Sequence, residues 1–179
     1  MAKKIKNSEL GRLDVPDFKA AEKSPITIVC DNIRSLNNVG SIFRTSDGFR
    51  VEQIILCGIT ACPPHRDIQK TALGATESID WIYEASTLDA ISTLKAKNTK
   101  CFALEQAKNS IPLDAFIYPD NQSIALVLGN EVEGVSQSVV DACDAVIEIP
   151  QYGTKHSFNV SVSHGICLWT VFQAWKKSL

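Results

Sequence analysis

Six short apolar runs recur along the chain: ITIVC (26–30), QIILCG (53–58), SIDWIYE (78–84), KCFALE (100–105), SIALVLG (123–129) and AVIEIP (145–150). Most are continuous rather than alternating, which is the pattern of strands covered on both faces and therefore of a parallel sheet. Between them, residues 38–48, 67–75, 87–97 and 136–143 carry a helical repeat, with Thr87 and Ser136 placed as N-caps. The alternation predicts an α/β fold, a mostly parallel sheet of about six strands with helices on both faces. Residues 1–24 are polar and aperiodic up to Pro25. They read as an N-terminal arm or short helix outside the core, leaving 25–179 as one domain.

The last helical stretch, from Phe158, is apolar on two sides. One stripe runs through Phe158, Val162, Ile166, Trp169 and Phe172, the other through Val160, Cys167, Leu168, Val171 and Trp175. One side packs on the sheet. The other needs a cover, either a partner subunit or more of the same chain.

Composition narrows the class. The 179 residues are 45% hydrophobic and 21% charged, an ordinary globular balance, which excludes disordered, collagenous and coiled-coil chains. MAKKIK is followed by no apolar signal region, and no run approaches the roughly 20 apolar residues of a membrane span, so a cytoplasmic protein is expected. None of the cysteines (30, 57, 62, 101, 143 and 167) forms a CxxC pair, and His65, His156 and His164 lack zinc-site spacing. Buried thiols in a reducing compartment and no metal are the expectation.

A net charge of −2 argues at first against a nucleic-acid partner. Divided along the chain, residues 1–66 hold 10 basic and 7 acidic side chains (+3), residues 67–150 hold 5 and 13 (−8), and residues 151–179 hold 3 and 0 (+3). All five arginines lie in the first block. The overall balance hides a basic N-terminal third.

Neither GxGxxG nor GxxxxGK[ST] stands after the first strand, so dinucleotide and P-loop chemistry are not indicated. The first strand leads instead into DNIRSLNNVGSIFRTSDGFRV (31–51), in which Asn38 stands as an N-cap and Asn32, Arg34, Asn38 and Arg44 fall near a strand end, where open α/β sheets gather ligands. Two later strands end similarly. LVLGNEVEGVS (126–136) places Gly129, Asn130 and Glu131 in a turn that backbone can share closely with a ligand, and IPQYGTKHSFNVSVSHG (149–165) places Ser157, as an N-cap, and Asn159 at the head of the long helix.

N-x-G-x-x-x-R-T (38–45), L-G-N-E-x-x-G (128–134) and I-P-x-x-G-x-x-x-S-x-N-V-S (149–161) together resemble the three ordered motifs of the SpoU (TrmH-like) RNA ribose 2′-O-methyltransferases of the SPOUT class. The resemblance runs from about Ile26 to Trp175. It implies S-adenosylmethionine as cofactor, an RNA ribose hydroxyl as acceptor, a homodimer and a C-terminal trefoil knot, which general topology rules would not anticipate. Asn38, Arg44, Glu131, Ser157 and Asn159 match the family's catalytic positions. Leu128, Gly129, Ile149 and Phe158 match positions that cradle the cofactor, although Phe158 stands where the family usually has Leu. Compact members of the family without an extra domain imply transfer RNA ahead of ribosomal RNA.

In that frame Arg44 matches the residue held to activate the hydroxyl, yet a guanidinium is by itself a poor base. A bidentate clamp on the neighbouring phosphate suits it better, with Ser157 and Asn159 orienting it or the ribose. Glu131 or His156 as the base is the competing idea. Lys3, Lys4 and Lys6, with Arg34, Arg50, His65, Arg66 and Lys155, are the candidates for phosphate contact. A catalytically silent RNA-binding or cofactor-binding module on the same fold, and a small-metabolite α/β enzyme, are the rival readings. The basic chain ends predict RNA affinity that falls steeply from low to physiological salt despite the acidic isoelectric point. A filter-binding titration checks this, and a flat salt dependence contradicts it.

Overall fold

The computed structural model describes residues 2–120 and 122–178. Its centre is one sheet built from β1 (Ser24–Asp31), β2 (Val51–Cys57), β3 (Trp81–Glu84), β4 (Lys100–Leu104), β5 (Ile111–Pro112), β6 (Ile124–Leu128) and β7 (Ala145–Glu148). All pairings are parallel, in the order β3-β2-β1-β6-β4-β7-β5. The sheet thus has seven strands where the hydrophobic pattern predicts about six. The additional one, β5, is a two-residue edge strand, too short to leave a run in the sequence.

The central strands explain why their runs are unbroken. Ile26, Ile28 and Cys30 of β1 and Ile124, Leu126 and Leu128 of β6 enter one core, while Val29, Ala125 and Val127 enter a second core on the opposite face. Alternate side chains therefore need apolar cover on both sides. The first core receives Val39, Ile42 and Phe43 of α2 (Leu36–Gly48), Ile68 of α3 (Arg66–Ala72), Ala75 of α4 (Ala75–Ser78) and Cys167, Leu168 and Val171 of α7 (Val160–Ser178). The second receives Ala90, Ile91 and Leu94 of α5 (Thr87–Ala96) and Val139 of α6 (Gln137–Ala142). Ahead of β1, α1 (Val15–Ala20) is capped by Asp14 and buries Phe18 in the first core.

The helix starts differ from the sequence pattern by local chemistry. Ser35, not Asn38, caps α2 by accepting the Asn38 amide at 3.3 Å, which frees the Asn38 side chain for other partners. Ser86 caps α5, and Thr87 turns its hydroxyl to Asp31 instead. Ser136 occupies the cap position of α6 without a side-chain cap bond. The predicted 67–75 helix breaks in two because Leu73 and Gly74 both adopt left-handed backbone, at φ 48° and 90°. Within α2, a Cβ on Gly40 would lie 2.3 Å from the Ile68 carbonyl, so α2 and α3 pack backbone to backbone at a point where only glycine fits.

α7 begins two residues later than the pattern suggests. Its second apolar stripe is the one that packs inward. The first stays in solvent, with Val162, Ile166 and Trp169 exposed by 49%, 37% and 54%. Phe172 is half-buried, edge-on to Phe49 at 5.3 Å.

His164, on the inward side of α7, is fully buried, and its Nε2 pairs with the Ser46 hydroxyl at 3.2 Å. Nδ1 has no hydrogen-bond partner among the described residues. Burial pushes the imidazole down to about 4, an effect that the Ile42 carbonyl only partly offsets. An unfolded histidine takes up its proton near pH 6.5, whereas the folded protein resists protonation until about 4. Between these values the unfolded state binds more protons, so stability falls as pH falls, by up to about 3 kcal/mol from this group. Urea unfolding at pH 7 and pH 4.5 should show that loss, and His164→Gln should flatten it.

Candidate active site

Three loops meet at the carboxyl ends of the central strands: 32–35 after β1, 129–135 after β6 and 149–159 after β7. Glu131 holds the first two together. Its Oε2 accepts the Arg34 backbone N–H at 2.8 Å, and its Oε1 accepts the Ser35 backbone N–H at 2.9 Å and the Asn38 side-chain amide at 2.8 Å. The carboxylate thereby satisfies donors at the entrance of a 13-residue helix, where the backbone dipole also favours an anion. Partial burial works to raise its pKa, but the hydrogen bonds from Arg34, Asn38 and Ser35 outweigh that and hold it below the ordinary carboxylate value.

The third loop joins through Asn38. Its Oδ1 accepts from Asn159 Nδ2 at 3.1 Å, and Asn159 Oδ1 in turn accepts the Ser161 N–H at 2.9 Å, capping α7. Asn159 is therefore the cap expected of Ser157. The chain Glu131–Asn38–Asn159 ties motif two to motif one to motif three.

Glycine makes the middle loop possible. A Cβ on Gly129 would stand 2.2 Å from the Gly134 carbonyl carbon and the Val135 nitrogen, so the close approach anticipated at Gly129 is to its own chain. Asn130 and Gly134 exchange backbone hydrogen bonds at 3.0 and 2.9 Å, and Asn130 Nδ2 donates to the Asn32 carbonyl at 2.7 Å. Glu105 Oε2 receives the Val135 N–H at 2.9 Å, beside Gly134 in left-handed backbone at φ 69°.

Beside these loops opens a cavity of ≈ 510 Å³. Leu104, Leu128, Ile149 and Phe158 supply its apolar lining, and Gln106, Asn130, Glu131, His156, Ser157 and Asn159 its polar lining. The four residues anticipated as the cofactor cradle, Leu128, Gly129, Ile149 and Phe158, all line it. Ser157 is exposed and makes no hydrogen bond among the described residues. Leu104 and Gln106 do not stand out in the sequence; their only signal is that KCFALEQ ends a strand. Gln106 Nε2 donates to the His156 carbonyl at 2.6 Å, bracing the third loop.

The structure does not bring every candidate together. Arg44 is exposed on α2, outside the cavity lining, with no hydrogen bond or ion pair among the described residues. Arg50 lies at the amino end of β2, opposite the loops, and donates to the Glu22 carbonyl at 3.4 Å, so it is no part of this site. Arg34 stands at the site, while Arg66 opens α3 and is exposed; His65 caps that helix by accepting the Asp67 N–H. Lys155 is exposed in the 149–159 loop, and Lys3, Lys4 and Lys6 are exposed ahead of α1. The buried Cys57 and Cys101 thiols are pushed up by burial to about 12 and about 11, which removes them as nucleophiles. No group of three His, Cys, Asp or Glu among the described residues is arranged to hold a metal ion, and no helix there is long and apolar enough to cross a membrane.

Residues 25–169 match a family model described as the SpoU rRNA Methylase family. The chain is 28% identical over 169 residues to the 23S rRNA (guanosine-2'-O-)-methyltransferase RlmB of Vibrio parahaemolyticus, covering 90% of this chain and 64% of that protein. Among solved structures it resembles an AdoMet-bound rRNA methyltransferase from Sinorhizobium meliloti with a TM-score of 0.79 and 25% identity, covering 87% of this chain and 59% of that one. The TrmH/SpoU tRNA modifying enzyme of A. aeolicus gives a TM-score of 0.78 at 24% identity, covering 89% and 79%, and so attests the fold.

The clamp has a direct test. In Glu131→Gln an amide N–H must face one of the backbone donors it now accepts. Stability should fall by about 2 kcal/mol. Hydrogen exchange at the Arg34 and Ser35 amides should accelerate, and unchanged protection there would refute the clamp.

Proposed function

Because the chain belongs to the SpoU rRNA Methylase family, we propose that it is an S-adenosylmethionine-dependent methyltransferase acting on an RNA ribose 2′-hydroxyl, with ribosomal RNA as the substrate class. The observation that carries this reading is the Glu131–Asn38–Asn159 chain at the edge of a cavity of ≈ 510 Å³. The preference for transfer RNA does not stand: the relatives that match at 28–29% identity are named for 23S rRNA, whereas the tRNA-named structural likeness lies below 25% and speaks for the fold alone. The chain spans about 64% of those relatives' length, so its activity and substrate rest on its own residues.

The cavity fits the cofactor. Its volume is in the range of small-molecule sites. Leu104, Leu128, Ile149 and Phe158 offer apolar surface for an adenine, and Gln106 and Asn130 offer polar groups for ribose and amino-acid ends. Bound there, S-adenosylmethionine supplies an electrophilic methyl group on a sulfonium. The chain's part is to hold a ribose oxygen against that group and to remove its proton, and positioning alone contributes several orders of magnitude.

The hydrogen bonding supports a positioning role for Glu131 rather than that of a base. Glu131 already accepts three hydrogen bonds, and its pKa is held low, so it is a poor proton acceptor. It orients Asn38 and the 129–135 loop. Ser157 presents a free hydroxyl to the cavity, which supports a role for it in orienting the acceptor ribose, with Asn159, held by Asn38 and Ser161, beside it. The Arg44 guanidinium is left for the neighbouring phosphate, through which it aids loss of the hydroxyl proton.

The same arrangement favours a homodimer. Thr45, next to Arg44, faces Gly165 of α7, and α7 leaves Val162, Ile166 and Trp169 uncovered. A second copy seated on that stripe would cover apolar surface that a monomer leaves wet. It would also enclose Arg44 beside a reaction site. A trefoil knot is consistent with the strand order, since β7 lies between β4 and β5, both formed earlier in the chain. Residues 25–179 would form the methyltransferase domain, a division that the family match over 25–169 supports, but the 1–24 segment is not wholly an arm outside the core, since α1 buries Phe18 there and β1 already begins at Ser24.

Labelled methyl transfer to ribosomal RNA, with mapping of ribose methylation, tests the activity. Arg44→Ala should lower turnover on the order of 100-fold at unchanged cofactor affinity. Trp169→Lys should yield a monomer in sedimentation. Absence of methyl transfer to ribosomal and transfer RNA alike, with cofactor binding intact, would favour the silent binding module.

A further inference from the structure

On the other side of the 130–134 loop lies a second cavity, of ≈ 410 Å³, within the range of small-molecule sites. It sits at the carboxyl ends of β1 and β6 and reaches the turn after β2 through Ile59. There the winding of the sheet reverses, with β2 and β3 on one side and β4, β7 and β5 on the other, which is where open α/β sheets leave room for a ligand.

The amide side chains around this cavity are spent on one another. Asn32 Nδ2 donates to Asp31 Oδ1 at 2.8 Å, and Asn32 Oδ1 accepts the Ile59 N–H at 3.1 Å. Asn130 Nδ2 donates to the Asn32 carbonyl at 2.7 Å, and Asn130 Oδ1 accepts the Val132 N–H at 2.8 Å. Two carboxylates are left over. Asp31 is only 3% exposed, and its Oδ1 is taken by Asn32 and by the Thr87 hydroxyl at 2.6 Å. Its Oδ2 accepts no hydrogen bond among the described residues and is not sealed from solvent, so a buried side chain presents one bare oxygen to the cavity. Glu133 also lines the cavity, and its carboxylate has no hydrogen bond or ion pair among the described residues.

Against these two negative charges the lining sets one positive, Arg34, which leaves a net charge of −1 and a need for a cation that donates hydrogen bonds. The kind of cation follows from the geometry. A divalent metal seeks about six oxygens, and no group of three His, Cys, Asp or Glu among the described residues is arranged to hold one. A guanidinium binds best as a fork on both oxygens of one carboxylate, and Asp31 has only one to offer. An alkylammonium spreads three N–H donors and can reach single oxygens on separate groups, Asp31 Oδ2 and the Glu133 carboxylate. Ile59 and Val132, exposed by 66% and 73%, give its methylene chain an aliphatic wall.

We propose that this cavity binds one end of a free aliphatic polyamine, its first ammonium between Asp31 Oδ2 and Glu133 and its chain along Ile59 and Val132. The next ammonium then lies at the mouth on the side of Arg34, and the pair turns a carboxylate-lined hollow into a positive one. The use of that charge rests on the RNA methyltransferase reading: an RNA phosphate reaching this edge meets Arg34 and the outer ammonium together. The binding itself requires no RNA.

Amide NMR titration with spermidine, without RNA, tests the site. Spermidine should move the Asp31, Ile59, Val132 and Ser136 amides. Magnesium at matched ionic strength, and spermidine with every nitrogen fully methylated, which keeps the charge but has no N–H, should leave them still. Asp31→Asn and Glu133→Gln should each weaken spermidine about tenfold, as loss of a charge-assisted hydrogen bond does. Glu133 is exposed, so its variant decides the matter even if Asp31→Asn fails to fold. No shift at millimolar spermidine, shifts confined to other residues, equal shifts with magnesium or the methylated amine, or unchanged affinity in Glu133→Gln would each overturn the proposal. So would n-butylamine binding as tightly as spermidine, the mark of a site for a single ammonium such as a protein lysine. In filter binding, spermidine should raise ribosomal RNA affinity more for the wild type than for Glu133→Gln, and equal enhancement of both would overturn the role toward RNA. Methyl transfer on the same samples separates the readings: spermidine binding without it removes the activity and keeps the site, and methyl transfer without spermidine binding does the reverse.

Discussion

A single carboxylate holds together the three loops at the carboxyl edge of the sheet. Glu131 accepts two backbone amides at the entrance of α2 and the side chain of Asn38, and through Asn38 it reaches Asn159, so segments nearly a hundred and more residues apart in sequence share one hydrogen-bonded chain. Each of these groups would otherwise be a partly buried donor or acceptor seeking water. Hydrogen bonds to a charged acceptor are worth roughly twice neutral ones, and the field of the helix entrance adds to them. The arrangement also uses up the basicity of Glu131. A carboxylate whose donors hold its pKa below the ordinary value is a weaker base than a free one.

That clamp works only because the backbone comes close where side chains are missing. Gly129 lets β6 turn back against Gly134 and Val135, and Gly40 lets α2 lie on α3. With α2 seated on α3, Val39, Ile42 and Phe43 fill the first core, and Asn38, one position along, is turned toward Glu131. Motif one is thus a packing statement and a polar statement interleaved on one helix. Its glycine sets the depth of the helix, and its asparagine sets the connection to the other two motifs.

Legibility from sequence follows the range of the forces involved. The strands β1, β2, β4, β6 and β7 announce themselves because both faces of each must be apolar, and their runs are long enough to register. β5 does not, being two residues held by register with β7 alone. The helix caps expected at Asn38, Thr87 and Ser157 fall instead at Ser35, Ser86 and Asn159, since several polar residues stand near each start and only tertiary partners decide which side chain turns inward. The ordered motifs single out Asn38, Glu131 and Asn159, but spacing carries no information on which of them donates to which. Leu104 and Gln106 acquire meaning only when distant strand ends lie side by side.

The fold splits the charge pattern between two edges of the sheet. Of the arginines in the basic first third, Arg50 sits at the amino end of β2, while Arg34 sits at the carboxyl ends, among the loops. A positive segment is therefore not a positive face: the parallel strands send successive basic residues to opposite edges of the sheet. The basic groups left at the carboxyl edge are sparse, with Arg34, Arg66 and Lys155 set among the acidic Glu105, Glu131 and Glu133. Of these, Glu131 is neutralised in effect by its donors, and Glu105 by the Val135 and Gln106 amides. The edge is less acidic toward a polyanion than its composition states. Phosphate attraction there depends on how completely backbone donors absorb the carboxylates, so the same hydrogen bonds that fix the loops also lessen the repulsion a polyanion would meet.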